Sequence, residues 1–169
     1  MYPAIRDAML KDLFPSLAQG ARRLGLDALE LELSPDLALP DPEGPGRIPV
    51  WDDAAVADYR ARLDAAGLRA CALLTAQDLG TGGTGEHAAW LARAVAIAET
   101  LGAPALRVDP LMKHEAEIPF DERVDRVAGV IAGALARTPD SPVALAVENH
   151  GLAGNSPVFL LSVVQAAAH

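Results

Sequence analysis

The chain has 169 residues, 51% of them hydrophobic but only 4% aromatic, and a formal net charge of −9 at pH 7. That length supports one domain with a sizeable core built from Ala, Leu and Val. So aliphatic a composition excludes intrinsic disorder, and the acidic balance argues against a nucleic-acid partner.

The sequence begins with Tyr2 to Arg6, which reads as a short first strand, followed by a first helix over Phe14 to Leu24 with Pro15 at an early position. A turn-plus-strand segment then recurs. It runs from Gly25 to Leu33, from Gly67 to Leu74, from Gly102 to Asp109 and from Ser141 to Glu148. The intervals are roughly 35 to 42 residues, the length of one βα unit. Apolar positions at three- and four-residue steps predict helices in the gaps. Asp53 to Ala66 carries Val56, Tyr59 and Leu63, with Asp52 or Asp53 as cap and Gly67 as stop. Glu86 to Leu101 and Asp121 to Arg137 follow, and Asn155 or Ser156 opens a last helix over Pro157 to Ala168. Asp36 to Pro49 reads as a solvated, Pro/Gly-rich excursion after the second strand. The loop Gly80-Thr81-Gly82-Gly83-Thr84-Gly85 before His87 reads as a flexible connection. It lacks the Lys-Ser/Thr of a P-loop and the ordered glycines of a dinucleotide site.

Cys71, the single cysteine, sits in the run Ala70-Cys71-Ala72-Leu73-Leu74 and reads as a small core hydrophobe. With neither a signal peptide nor an apolar run near twenty residues in the sequence, the expectation is a soluble cytoplasmic protein with no membrane partner.

Strict alternation of strand and helix requires parallel pairing, in either an open doubly wound sheet or a barrel. The strand faces separate these. Ala28, Glu30 and Glu32 share one face of the second strand, Ala105, Arg107 and Asp109 one face of the fourth, and Ala144, Ala146 and Glu148 one face of the fifth, with His150 continuing it. The opposite faces are aliphatic. A doubly wound sheet covers both faces with helices, where such charge is costly. A barrel opens at the C-terminal mouth, where functional residues collect. The expected fold is therefore α/β: a single domain over residues 1–169 forming about five βα units of a partial (β/α)₈ TIM barrel, with the C-terminal units absent. The exposed edges of such a sector invite homo-oligomerisation.

The run Glu148-Asn149-His150-Gly151 is the most informative stretch. Glu148 offers hard oxygen ligands to a divalent metal and His150 a nitrogen. Glu148 serves equally as a proton-transfer base if burial raises its pKa. This run, with the helix start Asn155-Ser156-Pro157, resembles the fifth-strand motif of the sugar phosphate isomerase/epimerase family of xylose isomerase-like barrels. Gly25-Leu26-Asp27-Ala28-Leu29-Glu30-Leu31 resembles that family's second strand. Leu101-Gly102-Ala103-Pro104-Ala105-Leu106-Arg107-Val108 resembles its turn into the fourth.

The resemblance implies a metal-dependent isomerase or epimerase acting on a sugar or sugar-like small molecule by proton transfer next to a carbonyl. Glu148 takes the catalytic and metal-binding position, with Mn or Mg as the cofactor. Glu30 and Arg107 match the family's substrate-pocket positions, and the strand faces set Asp109 and His150 on the same substrate-binding rim. The family's remaining ligands lie on its sixth to eighth strands, outside this sequence, and Glu148 alone does not hold a metal tightly. The alternatives are a non-catalytic partial barrel that binds a small molecule or protein partner, and a metal-dependent endonuclease, which the acidic charge disfavours.

Overall fold

The computed structural model describes residues 3–75, 77–110 and 112–168. Its strands are β1 (Ala4–Arg6), β2 (Ala28–Leu33), β3 (Ala38–Pro40), β4 (Arg47–Pro49), β5 (Arg69–Thr75), β6 (Ala105–Val108) and β7 (Ala144–Val147). Its helices are α1 (Ala8–Lys11), α2 (Leu17–Leu24), α3 (Asp53–Ala65), α4 (Thr84–Leu101), α5 (Phe120–Leu135), α6 (Gly151–Gly154) and α7 (Pro157–Ala167).

Five strands form one parallel sheet in the order β1-β2-β5-β6-β7. Each new strand adds to the same edge. A doubly wound sheet would reverse direction after its first strands, so this order is that of a barrel sector. One face is aliphatic and buried: Leu29, Leu31 and Leu33 of β2, Leu73 of β5, and Leu106 and Val108 of β6. It packs under Val56, Tyr59 and Leu63 of α3, Leu91, Val95 and Ala98 of α4, and Val124, Val127 and Ile131 of α5. The other face carries the charged residues. The core thus lies between sheet and helices, and the polar face lines the inside of the incomplete barrel.

Local chemistry sets the helix ends. Ser16 is extended and its Oγ accepts the Gln19 N–H at 3.2 Å, so α2 starts at Leu17 and Pro15 lies outside it. The expected helix over Phe14 to Leu24 begins three residues too early, because a serine N-cap outranks a preceding proline as a start signal. Asp52 caps α3 through the Ala55 N–H at 2.8 Å. Ser156 caps α7. The Glu86 carboxylate accepts the Gly83 N–H, which brings the start of α4 forward to Thr84.

Two further expectations are corrected. The excursion from Asp36 to Pro49 is no plain loop: β3 and β4 pair antiparallel, with Leu39 opposite Ile48. Arg47 pins this hairpin to the sheet by donating to the Glu32 and Ala38 carbonyls. The glycine-rich loop is also anchored. The His87 ring meets Gln77 Oε1 at 3.0 Å and the Thr81 carbonyl at 2.6 Å, and Asp78 accepts the N–H groups of Gly80 and Lys113. Cys71 is only half-buried, beside a register shift that pairs Leu29 with Ala70 but Glu30 with Ala72. Tyr2, expected in the first strand, lies outside the described residues.

The β7 edge is open. Ala144 and Ala146 on its inner face are exposed, and the α7 residues Val158, Leu161 and Val164 face outward. Among the described residues, no helix is long and apolar enough to cross a membrane.

Candidate active site

The C-terminal ends of β2, β6 and β7 bring all five sequence-predicted residues together. Register explains the convergence. Glu32, Leu74, Arg107 and Ala146 lie side by side across β2, β5, β6 and β7, so the inner-face residues of separate strands share layers. Arg107 stands at the centre. Its Nη1 lies 3.4 Å from Glu30 Oε1, and its Nε lies 3.5 Å from Asp109 Oδ1 and 3.1 Å from Glu148 Oε2. His150 Nδ1 is 3.4 Å from Asp109 Oδ2 and 3.8 Å from Glu148 Oε2.

Burial differs sharply within this cluster. Asp109 is 4% exposed, Glu148 and Arg107 are partly buried, and His150 is mostly exposed. Burial, and then the neighbouring Glu148 carboxylate, push the Asp109 carboxyl up to about 6, against the opposing pull of Arg107 and His150. A raised carboxyl pKa means the folded chain holds a proton that the unfolded chain has already released. The stabilisation is complete below the ordinary value near 3.8 and is lost as pH rises through about 6. Asp109→Asn is therefore expected to flatten the fall in stability between pH 4 and pH 6, where the wild-type slope from this group reaches at most about 1.4 kcal/mol per pH unit. Denaturant melts of both chains across that range read the difference, and parallel curves would refute the assignment.

A divalent cation fits this donor set. One ligand atom each from Asp109, Glu148 and His150 lies within 4.8 Å of the others. Asp109 Oδ1 and Glu148 Oε2 are buried without a hydrogen-bond partner and share the Arg107 Nε as their ion pair, and an ionised carboxylate oxygen accepts more than one such contact. Two carboxylates and an imidazole suit manganese or magnesium better than a soft ion. Glu148 is therefore not alone, as the motif by itself suggested. Asp109 and His150 stand beside it.

Two charged residues at the C-terminal end of β1 were not singled out from the sequence. Arg6 binds Glu32 at 2.9 Å. Asp7 is 4% exposed, and burial raises its pKa. The signal was present, because Asp7 follows β1 as Asp109 follows β6, but a strand of three residues is too short to show alternation.

A family model described as xylose isomerase-like TIM barrel matches residues 18–168. The chain belongs to the xylose isomerase-like TIM barrel family. Two solved structures show the same fold. One is a sugar phosphate isomerase/epimerase from Parabacteroides distasonis, with a TM-score of 0.64 and 18% identity over 87% of this chain and 50% of that one. The other is a xylose isomerase domain protein from Alicyclobacillus acidocaldarius, with a TM-score of 0.63 and 16% identity over 99% of this chain and 60% of that one. This xylose isomerase-like chain thus spans half to three-fifths of the length of these relatives. No curated protein matches its sequence.

Proposed function

We propose that this xylose isomerase-like barrel sector carries the Glu148 half of a divalent-metal site for isomerising or epimerising a sugar or sugar-like substrate. One observation carries the reading: ligand atoms of Asp109, Glu148 and His150 lie within 4.8 Å of one another at the barrel mouth. Asp109, Glu148 and His150 would hold manganese or magnesium, which when bound polarises a substrate carbonyl and acidifies the adjacent C–H. Glu148 is placed to take that proton, since its Oε2 is sheltered from water yet the residue stays partly open to the mouth. Arg107 holds the three carboxylates apart from one another and orients Glu148. Glu30, on the far side of Arg107, faces the same space and is placed to accept a substrate hydroxyl.

Incubating the chain with ketoses and manganese in D₂O tests this. Deuterium should enter the carbon next to the carbonyl, read by NMR, and EDTA should abolish it. Manganese binding without any exchange would sink the proton-transfer role.

A second reading has its own support. The exposed inner face of β7 and the apolar groove of about 270 Å³ between β7 and α7, lined by Leu145, Val147, Val163 and Val164, suit a sector that binds a partner. The occupant would be a further βα unit or another copy of the chain pairing at the open edge. On this reading the residues 1–169 form one unit of a larger barrel-like assembly.

A further inference from the structure

Glu115 lies in the connection between β6 and α5, in a 3₁₀ turn over Glu115–Glu117. Its carboxylate reaches across to the exit of β7. Oε1 accepts the Leu152 N–H at 2.5 Å, and Oε2 accepts the Ala153 N–H at 3.3 Å. Both amides belong to the first turn of α6, where no helical carbonyl is available to them. That helix has only four residues, too few to persist on its own. His150 stands at its N-cap with extended backbone and makes no side-chain cap hydrogen bond. Glu115 therefore supplies, from a distant loop, the acceptor that a serine or aspartate at position 150 would provide. The His150 ring instead turns toward Asp109 at 3.4 Å and Glu148 at 3.8 Å.

The other side of α6 rests on the backbone of the cluster. A Cβ on Gly154 would come within 3.1 Å of the Glu148 carbonyl oxygen and of Pro110 Cγ, so this turn packs directly on the strand exit that carries Glu148. Gly151, at φ +77°, makes the reversal between them. The connection that follows β6 thus holds both Asp109 and the acceptor that fixes the segment bearing Glu148 and His150. We propose that Glu115 is a positioning residue for this cluster: through α6 it holds Glu148 and His150 at their distance from Asp109. Both of its oxygens are taken by amides, so it acts on the cation site from outside it. Its effect on metal binding rests on the metal reading of the site given above, whereas the clamp on α6 exists without metal.

The test compares the whole chain with Glu115→Ala, Glu115→Gln and a control, Glu117→Ala, which removes a nearby exposed carboxylate that pairs with His114. In EDTA, hydrogen exchange read by NMR should quicken about tenfold at the Leu152 and Ala153 amides of Glu115→Ala, the loss of one charged hydrogen bond each. The amide signals of Glu148 and His150 should shift with them. Manganese, followed by electron paramagnetic resonance, should bind Glu115→Ala about tenfold more weakly, the scale set by groups that orient metal ligands. Glu115→Gln keeps an acceptor without the charge, so its loss should be about threefold. Glu117→Ala should bind manganese as the wild type does. A merely structural role lowers the Tm of Glu115→Ala and leaves the manganese affinity of the folded chain unchanged, which would overturn the proposal. So would equal weakening by Glu117→Ala, or metal-free amides that Glu115→Ala leaves as they were. If Glu115→Ala does not fold, Glu115→Gln decides. A wild-type chain that binds no manganese would sink the metal reading instead, and the metal-free amides then decide the clamp by themselves.

Discussion

Arg107→Ala is expected to destabilise the metal-free chain by about 2–3 kcal/mol. Arg107 is the cation that faces Glu30, Asp109 and Glu148 at once. Removing one partner of a buried ion pair typically costs about 3–5 kcal/mol, because the charge left behind stays desolvated. Here the side chains keep 20–28% of their exposure, except Asp109, so water screens part of the loss. For a chain of this size the change corresponds to a drop in Tm of roughly 5–10 °C. A purely steric role for Arg107 predicts a similar drop, so manganese provides the distinguishing readout. With the arginine gone, the carboxylates lack a cation, and added manganese should raise the Tm of Arg107→Ala by more than it raises that of the wild type. Arg107→Met, which keeps the apolar stem, should behave like the alanine variant. Equal manganese shifts in wild type and variant would show that Arg107 and the metal do not share these carboxylates.

The strand faces made the barrel legible in the sequence. Leu29, Leu31 and Leu33 against Glu30 and Glu32, and Leu106 and Val108 against Arg107 and Asp109, report one helix-covered face and one polar face. That pattern survives in the structure because a residue's side of a strand follows from its parity alone. The common face of Glu30, Arg107 and Glu148 was legible for the same reason. Contacts that depend on chain reversals were not. The β3–β4 hairpin is built around Pro42, Gly44, Pro45 and Gly46, and its pairing of Leu39 with Ile48 leaves only three-residue strands. So short an alternation does not stand out from a loop. The anchoring of the glycine-rich loop by His87 likewise rests on a side chain reaching back ten residues to Gln77, which no periodicity records. Asp7 stayed hidden because the three residues of β1 are too few to show alternation.

The depth of Asp109 changes what the Glu148-Asn149-His150-Gly151 motif implies. Read alone, the motif supplies one carboxylate and one imidazole. The register of β6 against β7 adds a second carboxylate, since the Glu148 N–H donates to the Val108 carbonyl at 3.0 Å and so sets Glu148 beside Asp109. Three donors make a saturable cation site plausible on physical grounds where one does not. The exposed His150 is the weakest of the three, because a solvated ring gains less from coordination than a carboxylate oxygen sheltered from water.

The central claim is that the mouth of this barrel sector binds a divalent cation through Glu148. Titrating the chain with manganese, and following the free-ion signal by electron paramagnetic resonance, tests it most directly. The expected result is one saturable ion per chain and a loss of affinity of about a hundredfold in Glu148→Gln, or about 2.7 kcal/mol, with the fold retained. Manganese bound equally well by wild type and Glu148→Gln, or no saturable binding by either, would contradict it.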